Sequence, residues 1–211
     1  MTTEVIKINP NRPAITLIRK AVEVIKNGGL VVLPTDTVYG LACDATNPVA
    51  VAKVFFVKVR PMSQPLSIAV GNFKHIYKYV GNIPVSAKKL AKKFLPGPIT
   101  LVFKKSSIIP DIVTAGRDDV AIRVPDCKFV LMLLRYLNSP IVLPSANIHN
   151  KPSPIKAHQV LKILNSKVDL IIDGGKTKYG KESTVVSCIG KKIKILRTGA
   201  ISEKEIFSAL S

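Results

Sequence analysis

The chain has 211 residues, with 32 Lys and Arg against 13 Asp and Glu for a formal charge of +19, and 47% of it is hydrophobic. That length suffices for one α/β domain or two small ones with a sizeable core, and the apolar content excludes a disordered polybasic tail. No run approaches the ~18 apolar residues of a membrane span, and the N-terminus lacks the basic-then-apolar pattern of a secretory signal.

In chain order, Ile15, Ile18, Val22 and Ile25 recur at helical spacing after Pro13 and stop at Gly28-Gly29, which predicts a first helix. Leu30 to Leu33 is continuously apolar, as in a strand buried on both faces. Asn47-Pro48, a cap residue followed by proline at the first helical position, opens a second helix towards Val57. Leu66 to Val70 reads as a strand, 73–80 and 85–94 as helices, and Ile99 to Lys104 as extended. In the second half Val120 to Val124 is strand-like, Asp126 is placed to cap a helix through Leu137, and Pro140 to Leu143 is extended. Ser153-Pro154 reads as the start of a helix to Leu164, and Asp169–Ile172, Thr184–Cys188 and Ile193–Leu196 as strands. A capping box, Ser202 with Glu205, opens the last helix. Strands and helices interleave, with late strands that lack crossover helices, so the whole of 1–211 is expected to be a single α/β domain with a mixed, twisted sheet flanked by helices.

The charge creates a field that attracts polyanions, nucleotides or acidic headgroups. Lysine pairs (Lys88-Lys89, Lys92-Lys93, Lys104-Lys105, Lys191-Lys192) are equally compatible with a solvated surface, and the chain has no Trp and no aromatic cluster of the RNA-binding kind. Cys43, Cys127 and Cys188 have no disulfide or zinc spacing and read as reduced, buried thiols in a cytoplasmic protein.

Two decoys are set aside. Gly175 to Lys181 matches the Gly-x4-Gly-Lys start of a P-loop, but Glu182 stands where Ser or Thr is needed, and a strand follows instead of a helix. His75, His149 and His158 share no ligand spacing; His149 reads as a solvated loop residue. Polar residues cluster instead after the buried strands: Pro34-Thr35-Asp36-Thr37-Val38-Tyr39-Gly40, Arg123-Val124-Pro125 and Pro144-Ser145-Ala146-Asn147. Lys58-Val59-Arg60-Pro61 adds two cations near a helix end, in a segment that Pro61 and Pro65 should stiffen and extend. Each cluster alone is a turn; four on strand-end loops of one basic domain indicate a nucleotide pocket.

Those segments resemble, in order, the YrdC/TsaC family of threonylcarbamoyl-adenylate synthases. The matching stretches are 28–41, Lys58-Val-Arg60-Pro, Leu95-Pro-Gly-Pro-Ile-Thr-Leu, Val120-Ala-Ile-Arg-Val-Pro, Pro144-Ser-Ala-Asn with Pro152-Ser-Pro, Glu182-Ser-Thr-Val-Val and Ile195-Leu-Arg-Thr-Gly. The resemblance implies a twisted α/β sheet with a basic concave cleft. It also implies a reaction in which L-threonine, bicarbonate or CO2, and ATP with Mg2+ give threonylcarbamoyl-AMP and pyrophosphate. The product would pass to a threonylcarbamoyl-transferase complex that modifies tRNA, and direct tRNA binding is a further expectation. By resemblance Lys58 and Arg60 form a catalytic phosphate clamp, Lys as a mobile point charge and Arg as a planar fork. ATP is further held by Ser145, Asn147, Ser153 and Arg197. Threonine is held by Thr35, Thr37, Tyr39, Arg123 and Ser183. Arg123 also fits a structural ion pair, and Lys58 or Arg197 a surface charge. No dedicated metal ligand is assigned; Asp36 is a candidate only by proximity.

Three departures stand out. Ile148-His149-Asn150 follows the Ser-x-Asn segment where many relatives have Ser-Gly, and Pro65-Leu66-Ser67-Ile68 lacks a histidine found in two-domain relatives. The chain ends ten residues beyond Ile201, as expected for the single-domain type. Two other functions stay open: a related enzyme that uses carbamoyl phosphate to form a carbamoyl adenylate, and an RNA-binding or ribosome-assembly module without chemistry.

Overall fold

The computed structural model describes residues 2–190 and 192–211, so Lys191 of one lysine pair lies outside the described residues. Its strands are β1 Glu4–Lys7, β2 Val31–Leu33, β3 Gly40–Asp44, β4 Ser67–Ala69, β5 Ile99–Lys104, β6 Asp119–Arg123, β7 Ile141–Val142, β8 Leu170–Asp173, β9 Thr184–Ser187 and β10 Lys194–Arg197. They form one mixed sheet in the order β1-β8-β2-β3-β7-β4-β6-β5-β9-β10. The helices are α1 Ile15–Lys26, α2 Pro48–Lys58, α3 Phe73–Ile76, α4 Val85–Phe94, α5 Asp111–Thr114, α6 Lys128–Leu137, α7 Ala157–Leu164 and α8 Glu203–Ser208. None is long and apolar enough to cross a membrane.

The sheet carries two apolar layers. On one side α1 and α6 pack through Ile18, Ile25, Phe129 and Leu133; on the other, α2, α4 and α7 pack through Val51, Val54, Leu90 and Val160. Strand alternation then shapes the site. In β5, β6 and β9 the residues Leu101, Phe103, Ile122 and Val186 enter the α2–α4 layer. Their alternating neighbours Thr100, Val102, Ala121, Arg123 and Val185 face the other way and line an open cavity.

Several local signals hold. Asn47 caps α2, its side chain accepting from the Val49 and Ala50 amides, with Pro48 at the first position. Ser202 and Glu205 form the capping box of α8. Others need correction. Asp126 does not cap α6: the cap position is Cys127, and the Asp126 amide instead donates to Asp36 Oδ1 at 3.2 Å. Ser153 does not start α7, because Pro152 and Pro154 keep that segment extended and the Pro154 carbonyl accepts from the Tyr39 amide. The helix begins at Ala157, where Gln159 Oε1 accepts from the Ile155 and Lys156 amides. Within 73–80 only Phe73–Ile76 is helical. The 60–66 segment folds into a turn closed by Gln64 N–H to the Pro61 carbonyl rather than running extended. Strands β1 and β3 and the short α5 were not anticipated; β3 makes 34–39 the connection of an antiparallel β2–β3 pair.

All three cysteines are free. Burial pushes the Cys43 and Cys188 thiols up to about 12, which leaves them inert at neutral pH.

Candidate active site

A cavity of about 460 Å³ opens between the 34–38 connection, the ends of β4 and β6, the 143–145 segment and strands β9 and β10. Four arginines line it: Arg60 after α2, Arg117 before β6, Arg123 at the end of β6 and Arg197 on β10. Thr35, Thr37, Thr100, Ser145 and Ser183 add hydroxyls.

Arg123 is the most constrained. Its Nη2 donates to Asp36 Oδ1 at 2.5 Å, Nη1 to Thr37 Oγ1 at 2.7 Å and Nε to the Gly97 carbonyl at 3.0 Å. Thr35 and Thr37 are linked through their hydroxyls at 3.0 Å. The structural ion pair and the cavity-facing arginine are therefore the same side chain: three donors anchor it, and the remaining guanidinium N–H groups are free for a ligand carboxylate. Asp36 serves as that anchor. Its Oδ1 is taken by Arg123 and the Asp126 amide, while Oδ2 is buried without a partner.

Lys58 is a fixed ammonium, not a mobile point charge. Val59 takes a left-handed conformation (φ 50°, ψ 46°), which turns Lys58 inward and Arg60 outward. The Lys58 ammonium gives its three protons to the Ser145 carbonyl (2.5 Å), the Asn147 carbonyl (2.8 Å) and Asn147 Oδ1 (3.0 Å). It is 2% exposed, and burial together with the nearby Arg60 lowers its pKa to about 8. Asn147 is equally engaged, accepting from Ser145 Oγ at 2.7 Å and donating to the Lys151 carbonyl. Lys58 and Asn147 thus shape the 144–147 wall from behind, and Ser145 is the member that lines the cavity. Arg60 is braced by the Gln64 and Pro65 carbonyls, and its Nη1 meets His149 Nδ1 at 3.3 Å. His149, read from the sequence as a solvated loop residue, lies in a loop and is partly buried where it meets Arg60.

The bulge between Ile195 and Arg197 explains the last of these arginines. Ile195 pairs with Val186, whose side chain enters the core, whereas Arg197 pairs with cavity-lining Val185. In regular alternation Arg197, two residues after Ile195, would share its face; the bulge at Leu196 turns it to the other. Arg197 ion-pairs with Glu182 and donates to the Ser183 carbonyl at 2.9 Å. Glu182 also accepts from Ser153 Oγ at 2.6 Å, and Ser183 Oγ meets Thr100 Oγ1 at 2.8 Å. Ser153 therefore reaches the site only through Glu182.

Tyr39 departs most from expectation. Its ring is fully buried, and its hydroxyl donates to the Gly175 carbonyl at 2.7 Å and accepts from the Gly174 amide. It pins the 173–175 turn and does not line the cavity. Glu182, Thr100 and Arg117 do line it and were not anticipated as site residues. Glu182 was visible as the residue that spoiled the P-loop match and as the first of the matched stretch Glu182-Ser-Thr-Val-Val, with no role assigned to it.

Gly199 holds the β9 entry in place by close approach. A methyl group there would collide with the backbone of Glu182 and Ser183. Gly199→Ala is expected to destabilise by about 1–3 kcal/mol and to displace Ser183 from Thr100, read as a lower melting temperature by circular dichroism.

This is an α/β protein whose mixed sheet bears an arginine- and hydroxyl-lined hollow. A family model described as telomere recombination, Sua5/YciO/YrdC, matches residues 23–199, and the chain belongs to that family. It is 43% identical over 189 residues to a threonylcarbamoyl-AMP synthase of Pyrococcus abyssi, covering 90% of this chain and 56% of that protein. Its identity to a threonylcarbamoyl-AMP synthase of Bacillus subtilis is 39% over 201 residues, covering 95% and 57%. The crystal structure of P. abyssi Sua5 complexed with L-threonine superposes with a TM-score of 0.95 at 40% identity, covering 99% of this chain and 61% of that one. The chain thus spans little more than half the length of these relatives.

Proposed function

We propose that the chain is a threonylcarbamoyl-AMP synthase, joining L-threonine, bicarbonate or CO2, and MgATP into threonylcarbamoyl-AMP with release of pyrophosphate. The observation that carries this reading is the convergence of Arg60, Arg123 and Arg197 on one hydroxyl-lined cavity, whose volume falls within the usual range for small-molecule sites. The likeness to a relative crystallised with L-threonine supports it.

In this reading Arg123, aimed by Asp36 and Thr37, takes the threonine carboxylate, while Thr35, Thr37 and Ser183 surround the amino-acid end. The amine, converted to its carbamate, attacks the α-phosphorus, and pyrophosphate leaves. Both reactants are anions, so fixed positive charge lowers the barrier more than it costs in binding. Arg60 and Arg197 supply that charge at the phosphates, and Ser145 faces ATP from the wall that Lys58 and Asn147 hold. Among the described residues no group of three or more His, Cys, Asp and Glu is arranged to hold a metal. In this reading Mg2+ enters as part of the MgATP substrate, its ligands chiefly phosphate oxygens and water.

The product is passed on to a threonylcarbamoyl-transferase complex acting on tRNA, and the site of action is the cytoplasm. Incubation with ATP, Mg2+ and bicarbonate is expected to release pyrophosphate only when threonine is added. Release that requires carbamoyl phosphate would instead mark a carbamoyl-adenylate enzyme. No release with either, alongside tight tRNA binding, would mark a binding module.

A further inference from the structure

The cavity that gathers these cations also holds a carboxylate in their midst. Glu182 lines the cavity, ion-pairs with Arg197 and accepts a hydrogen bond from Ser153. Its charge also acts on Lys58 and Arg60, favouring their protonated forms. Within the cavity this carboxylate sits directly on Arg197, one of the two arginines of the phosphate wall. Stability does not account for it: the pair is half exposed, with 48% and 33% of the two side chains accessible, and exposed ion pairs contribute little to folding. In a site that takes phosphates, as proposed above, a fixed negative charge opposes the ligand, so its presence there calls for a functional reason.

We propose that Glu182 is an internal counter-anion: it occupies Arg197 between turnovers, yields it to the incoming phosphates, and takes it back so that pyrophosphate leaves. The exchange involves no bond chemistry. A carboxylate pair on Arg197 is traded for a phosphate pair, and the reverse trade accompanies product release. The fork geometry of the guanidinium suits both partners. Glu182 is in this sense a positioning residue that sets how tightly the cationic wall grips its product. This rests on the pyrophosphate-forming reaction proposed above.

The test is titration calorimetry of inorganic pyrophosphate into wild type, Glu182→Gln and Glu182→Ala, which needs neither threonine nor turnover. Glutamine keeps an oxygen for Ser153 while removing the charge; alanine removes both, and melting temperatures report whether each variant is folded. Both variants are expected to bind pyrophosphate on the order of ten-fold more tightly, and the turnover of Glu182→Gln to show stronger product inhibition. Unchanged or weaker pyrophosphate binding in the folded variants would make Glu182 a strut for Ser153 and Arg197 and overturn the proposal. Should threonine-dependent release be absent in wild type, the catalytic reading falls while the pyrophosphate titration still decides the role of Glu182.

Discussion

Arg123→Ala is expected to lose both turnover and stability. The substitution strands Asp36, whose side chain is completely buried, opposite an empty space. Breaking a buried pair from one side costs about 3–5 kcal/mol, and Oδ2 of the same carboxylate already lacks a partner. Thermal or urea denaturation should show that loss, and threonine-dependent pyrophosphate release should fall by ~10²-fold or more. A double variant, Asp36→Asn with Arg123→Met, separates the two effects. It removes both charges together, so much of the stability should return, while activity should not. A single variant that keeps its rate within about ten-fold would remove Arg123 from the catalytic reading.

Lys58→Met carries the second large effect, for a different reason. Methionine keeps the shape of the stem but leaves the Ser145 and Asn147 carbonyls and Asn147 Oδ1 without their shared donor. Each orphaned acceptor costs about 1–3 kcal/mol if it stays buried, so the 144–147 wall should relax and the rate drop by ~10²-fold. Wild-type pH dependence gives an independent reading. With the ammonium near 8 in the folded protein and 10.5 as its ordinary value, turnover should decline above pH 8 as this proton is lost. Stability should move the opposite way. Between pH 8 and about 10.5 the unfolded chain still binds a proton that the native state has released, so this group makes unfolding progressively harder. In Lys58→Met both contributions should vanish.

These two residues also show how far the sequence could be read. Elements with local causes were legible: the apolar spacing of Ile18, Val22 and Ile25, the cap at Asn47 and the box at Ser202 each correspond to what the structure shows. Elements that exist only through partners were not. The segment Glu4–Lys7 is mostly exposed and becomes a strand because β8 lies beside it in parallel. Gly40–Asp44 begins with a glycine in a polar stretch, and only pairing with β2 and β7 extends it. The site divides the same way. Seven of the predicted residues line the cavity, Thr35, Thr37, Arg60, Arg123, Ser145, Ser183 and Arg197. Direction was hidden: the left-handed turn at a β-branched Val59, the bulge that turns Arg197 and the outward path of the Tyr39 hydroxyl all depend on tertiary contacts.

The hollow draws on segments from Thr35 to Arg197, and the sheet that bears it pairs Glu4 with Leu170 and Leu101 with Val186. Closing such long loops comes late in folding. A nascent chain emerging from the ribosome therefore has no complete cavity until β9 and β10 have docked. If the cavity takes a nucleotide as proposed, refolding followed by nucleotide fluorescence should lag behind the recovery of helical signal, because the backbone hydrogen bonds of α1, α2 and α4 are local and the ligand needs nearly the whole chain.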